Sequence, residues 1–108
     1  MLPLDLSAKI CFIQINLSQF KLARLMMDYS QLAALAAIHR RGSFDLAAVA
    51  LSVTPSAISQ RLKALEERMG ALLIRRGQPC AATDHGLRLI RHFEEVMLLE
   101  STLAADLP

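Results

Sequence analysis

Residues 52–70 read SVTPSAISQRLKALEERMG, and this stretch decides the fold. Thr54 offers a hydroxyl where a helix N-cap needs an acceptor. Pro55 suits the first helical position, where its fixed φ matches the helix and its missing N–H costs nothing. Gly70 supplies the stop, so the pattern predicts a helix over about 55–69. At about 100° per residue, Ile58, Leu62, Leu65 and Met69 fall within about 60° of one another, a narrow apolar stripe. Ser56, Ser59, Gln60 and Lys63 lie about 100° or more from Ile58, on the other side. Small hydroxyls and an amide can enter a DNA groove without bulk and reach base edges or phosphates. A plain solvated face is the alternative, although such faces are more usually rich in Glu and Lys.

Upstream, Leu32, Leu35, Ala36 and Ile38 repeat at three and four, which predicts a helix over about 29–40. Arg40 and Arg41 suit its last turn and Gly42 its end. Ser43 can cap a second helix over about 44–51, with Leu46, Ala47, Ala50 and Leu51 expected to face inward. Ala48 adds a small surface for close helix approach. Downstream, Leu72-Leu73-Ile74 has strand character, Arg75-Arg76-Gly77-Gln78-Pro79 reads as a turn, and Cys80-Ala81-Ala82 as a return strand. Thr83 caps a last helix reaching about Ala105, roughly 35 Å long. The expected fold class is therefore mainly α: a winged helix-turn-helix of three helices and a short β-hairpin wing, followed by a long linker helix.

Composition agrees. Ala and Leu supply 36 of the 108 residues and Trp is absent, a bias toward helices and away from sandwiches or barrels. Two cysteines, Cys11 and Cys80, make no disulfide framework. The net charge is only +2, but residues 54–80 carry +3 and residues 81–108 carry −3. A basic middle beside an acidic end suits one face for a polyanion and another for protein or water.

Residues 1–26 read as an N-terminal extension without the later helical spacing. Its apolar run Ile10-Cys11-Phe12-Ile13 is soon interrupted by polar residues, short of the ~20 residues a spanning helix needs. Either the native start is Met26 or Met27 and the upstream stretch is an over-long reading frame, or residues 1–26 form a loosely packed arm. The domain boundaries expected are 27–86 for the winged domain and 84–106 for the linker helix.

From Tyr29 to Gly86 the chain closely resembles the N-terminal DNA-binding domain of LysR-type transcriptional regulators. The matching text is A-x-x-x-R-R-G-S-F-x-x-A-A-x-x-L-x-V-T-P-S-A-I-S-Q-R-L-K-x-L-E, then M-G-x-L-L-I-R-R and T-D-H-G-L-R-L. The wording from Thr54 to Glu66 is most similar to the branch that regulates export of lysine and arginine. The resemblance implies a helix-turn-helix over 44–63, with Ser56, Ser59 and Gln60 toward bases and Thr54, Arg61 and Lys63 near the DNA backbone. It also implies a wing over 74–82 that brings Arg75 or Arg76 to a flanking minor groove or phosphate. Pro55 departs from the family, where Gln is common, and removes a side-chain donor. The family continues into an effector-sensing domain of two α/β lobes beyond the length of this sequence, so no effector site is expected within it. A bacterial, cytoplasmic, nucleoid-associated protein with double-stranded DNA as partner is what the resemblance implies.

Arg61 lies on the flank of the stripe, where a salt bridge to Glu66 or to another helix competes with DNA contact. His39, His85 and His92 share no ligand spacing, and Cys80 with His85 is one weak pair, so no metal or other cofactor is expected. No nucleophile turn or carboxylate pair supports catalysis, and an enzyme is not expected. In the last helix, Leu89, Ile90, Phe93, Val96, Met97, Leu99 and Leu103 span about half the circumference, wider than packing on one small domain requires. This arc predicts a homodimer through the last helix, with Glu100 awkwardly inside it, and hence a two-fold operator. The alternative function is an interaction module that pairs with a full-length regulator and titrates it.

Overall fold

The structure, a computed structural model, describes residues 28–107. The extension at 1–26, both start methionines and Cys11 lie outside the described residues. Four helices and one two-stranded hairpin follow in order: α1 (Tyr29–Arg41), α2 (Phe44–Leu51), α3 (Pro55–Met69), β1 (Ile74–Arg75), β2 (Ala81–Ala82) and α4 (Asp84–Asp106). This is the winged helix-turn-helix order with the long helix after it.

Each helix starts on a side chain that accepts from the first turn. The Asp28 carboxylate accepts from Ser30 N–H at 2.8 Å, Ser43 Oγ from Leu46 N–H at 3.1 Å, and Thr54 Oγ1 from Ala57 N–H at 3.1 Å. The Ser30 hydroxyl and N–H hold the Asp28 carboxyl below its ordinary value, with Arg61 and Arg68 adding to the pull. That contribution is present above the ordinary aspartate range and is lost as pH falls through the depressed value.

One core joins all the elements. Leu32, Leu35 and Ile38 of α1, Ile58, Leu62 and Leu65 of α3, and Leu73 are fully buried. Met69 packs at the edge, as do Phe44, Leu51 and Val53. In α2 the inward set differs from expectation. Ala47 and Ala48 are the buried pair, while Leu46 is 52% exposed and Ala50 is also exposed. Phe44, Ala47, Ala48 and Leu51 follow the i, i+3, i+4, i+7 rule and form the true stripe. Two alanines at its centre let α2 lie close to both neighbours, which the bulk of Leu46 would prevent.

The hairpin is short, with Ile74 opposite Ala82 and Arg75 opposite Ala81. Leu72, expected in the first strand, lies outside it and is 71% exposed. The hairpin is tied to the root of α4: Thr83 N–H donates to the Leu73 carbonyl at 2.9 Å and the Thr83 hydroxyl to the Leu72 carbonyl at 2.7 Å. Gly86, one turn into α4, packs directly on the Leu73 carbonyl, and a Cβ there would collide with that oxygen.

Gly86→Ala is therefore expected to cost about 1–3 kcal/mol, because backbone rather than a flexible side chain must shift. Chemical denaturation of the two proteins measures it; equal midpoints would count against the close packing of α4 on the wing.

Candidate nucleic-acid interface

With one face of α3 in the core, the other is left to solvent. Ser56, Ser59, Gln60 and Lys63 are all exposed, near the N-terminal half of the helix. Arg61 is half-buried on the flank. Thr54 is exposed, but its oxygen already accepts the cap hydrogen bond, which leaves its O–H free to donate outward.

The intrahelical partner expected for Arg61 is engaged elsewhere. Glu66 turns its carboxylate to the start of the hairpin and accepts from Leu73 N–H at 2.9 Å and Ile74 N–H at 3.4 Å. A charged acceptor on two backbone donors makes this a strong local anchor. Arg61 instead lies near enough to Asp28 to influence that carboxyl across the helix interface. Among the described residues an ion pair joins Arg40 of α1 to Glu94 of α4 at 3.5 Å, with both side chains more than half exposed.

In the wing, Arg75 and Arg76 are exposed. The Arg76 guanidinium sits 4.5 Å from the centroid of the Phe44 ring at the start of α2. A cation–π contact of this kind limits the side chain's freedom while its N–H groups stay available at the rim. Phe44 thus joins α2 to the wing, a role the sequence pattern left unseen. His39 does the same from α1: its Nδ1 accepts from Ala82 N–H at 3.0 Å. No group of three or more His, Cys, Asp or Glu side chains able to hold a metal occurs among the described residues.

On α4 the arc divides. Leu89 and Ile90 are buried in the domain's own core and Phe93 packs at its edge, with its ring edge-on to Tyr29 at 6.4 Å. Both Leu89 and Ile90, expected on the arc for a second chain, are thus packed against the domain's own core. Val96 is half-buried, and Met97, Leu99 and Leu103 are exposed. Leu98, on the opposite side, is 67% exposed as well.

Residues 29–87 match the family of bacterial regulatory helix-turn-helix proteins called the lysR family. The chain belongs to the LysR family. It is 51% identical over 81 residues to the HTH-type transcriptional regulator LysG of Mycobacterium tuberculosis, a match covering 75% of this chain and 27% of that protein. The crystal structure of ArgP from Mycobacterium tuberculosis is 53% identical, with a TM-score of 0.68, covering 70% of this chain and 29% of that one. The resemblance of Thr54–Glu66 to the lysine and arginine branch thus agrees with the names these relatives carry. The fold is also that of the BenM DNA-binding domain solved with benA site 1 DNA, at 24% identity and a TM-score of 0.68, covering 73% of this chain and 90% of that one. This LysR-family chain spans a little over a quarter of the length of the LysG and ArgP proteins it matches.

Two side chains on the exposed face of α3 should behave differently. Gln60→Ala is expected to lower affinity for a specific site by about 1–3 kcal/mol and leave binding to scrambled DNA unchanged. Lys63→Ala should weaken both DNAs alike, since an ammonium on phosphate carries no sequence information. Equal losses on both DNAs for Gln60→Ala would remove its reading role.

Proposed function

We propose that this chain binds double-stranded DNA sequence-specifically, as the DNA-binding part of a LysR-type transcriptional regulator. The α3 helix enters the major groove with Ser56, Ser59 and Gln60 toward base edges. Thr54, Arg61 and Lys63 then meet the backbone, and the wing over 74–82 brings Arg75 and Arg76 to flanking DNA. One observation carries this reading: the polar face of α3 stands free while its apolar face anchors the domain's core. A subunit that merely titrates a partner has no need of a free reading face with a wing anchored beside it, and that alternative is not favoured. The site of action is the cytoplasm, where the DNA of a bacterium lies; no helix among the described residues is long and apolar enough to cross a membrane.

The functional unit is a homodimer. Met97, Leu99 and Leu103 make an apolar surface beyond the globular part of the chain, and a second α4 packed antiparallel covers it. Two recognition helices then face a two-fold operator.

Sedimentation at tens of micromolar is expected to show a dimer, and Leu99→Glu with Leu103→Glu to shift it to monomer without unfolding. The same variant should weaken operator binding. In the wild type, if about six phosphates are neutralised, log K should fall with log salt at a slope of about −5. A monomer with full operator affinity would overturn the dimer, and salt-independent affinity would overturn the phosphate contacts.

A further inference from the structure

The wing strands are two residues each, too short to hold a position by their own pairing. Their placement comes from outside the hairpin. Glu66 and Thr83 secure the β1 side, as described above. The β2 side lies along the end of α1, where Cys80 N–H donates to the Gly42 carbonyl at 2.9 Å and Ala82 N–H donates to His39 Nδ1 at 3.0 Å. The second of these bonds has a chemical condition attached. An imidazole nitrogen accepts a hydrogen bond only while it carries no proton, so the contact requires a neutral ring with its hydrogen on Nε2. Protonation places an N–H opposite the Ala82 N–H, donor against donor.

We propose that His39 is a positioning residue for the wing: its neutral imidazole holds β2, and through it the arginine-bearing β1, against the end of α1. The wing's share of DNA binding is then lost when that ring takes a proton. The proposal rests on the reading that the wing touches DNA. Arg75 is paired directly opposite Ala81, beside the anchored Ala82. A strand freed at Ala82 therefore releases the backbone that aims the Arg75 side chain.

The elements packed around His39 carry other charges. Arg40 and Arg41 neighbour it on α1, Asp45 lies on α2, Glu66 on α3, and Arg75, Arg76 and Cys80 in the wing. The α4 helix brings Asp84, His85, Arg88 and Glu94, with Glu94 held by Arg40. Carboxylates and guanidiniums ordinarily keep their charge between about pH 7.5 and about pH 5.5, so imidazoles are what changes over that interval. The other imidazoles of the chain are His85 and His92, and a variant must separate them from His39.

His39→Asn does so, because an amide oxygen can accept at the place of Nδ1 and does not titrate. Binding of the whole chain to a specific DNA is measured for wild type, His39→Asn, His39→Ala and Arg75→Ala with Arg76→Ala, at both pH values. Wild type is expected to lose about 3- to 10-fold on acidification, the effect of one hydrogen bond. His39→Asn should bind well at both pH values, and His39→Ala weakly at both. If the double arginine variant binds as wild type does, the wing reading itself fails. If that variant is weakened but His39→Asn shows the wild-type pH loss, the His39 proposal fails and the wing reading stands. Amide exchange of Ala82 in DNA-free wild type is the second measurement: protection should fall at the lower pH, and unchanged protection overturns the proposal.

Discussion

The seam between α1 and α3 is the constraint on which everything else rests. Leu32, Leu35 and Ile38 on one side and Ile58, Leu62 and Leu65 on the other are nearly or wholly removed from water. Each such side chain contributes roughly 1.5–3 kcal/mol relative to exposure. Because the helix period leaves no freedom once one stripe is fixed, burying these three residues of α3 determines which of its side chains face outward. The exposed polar face is thus a consequence of packing. A change that rotated α3 by one residue would bury serine and expose isoleucine, so the register of the core also fixes which side chains the proposed DNA contact can use.

The alanines of α2 serve that seam from the side. Close approach of three helices in a domain of this size leaves little room, and Ala47 and Ala48 occupy the centre of the contact. The large apolar residues of α2 are displaced to the margins: Phe44 and Leu51 half-buried, Leu46 and Val49 exposed. Hydrophobicity alone would place Leu46 inside. Steric fit decides otherwise, since dispersion contacts across a short helix depend on distance more than on side-chain size.

This explains what the sequence made legible. The course of the helices follows from period and cap, each of which is local: Ser43, Thr54 and Thr83, read from the sequence as caps, all act within three residues. The exposed polar face of α3 follows from the same wheel. The attachments of the wing do not, because they join residues far apart. His39 and Ala82 are 43 positions apart, and nothing periodic connects them. Glu66 looks in sequence like a partner for Arg61, yet its carboxylate meets backbone N–H groups that only the folded hairpin presents. Gly86 sits where a helix would tolerate any residue, and its need for a bare Cα appears only with Leu73 packed against it. Periodicity alone could not divide the apolar arc on α4: burial assigns Leu89 and Ile90 to the core and leaves Met97, Leu99 and Leu103 exposed.

That division makes α4 two structures in one helix. Its root is part of the globular domain, fixed by Thr83, Gly86, Leu89, Ile90 and the edge-on contact of Phe93 with Tyr29. Its outer half extends free, with an apolar strip and the acidic side chains Glu94, Glu95, Glu100 and Asp106. Negative charge is concentrated there, whereas α3 and the wing carry a net positive charge, so the two parts of the domain differ in electrostatic sign. Because α4 runs unbroken from Asp84 to Asp106, a change of direction at its outer end is carried to its root beside Leu73 and Tyr29. In the proposed dimer, the packing that covers Met97, Leu99 and Leu103 sets the separation and tilt of the two α3 helices. Those same residues lie far enough from the core to be replaced without disturbing its packing.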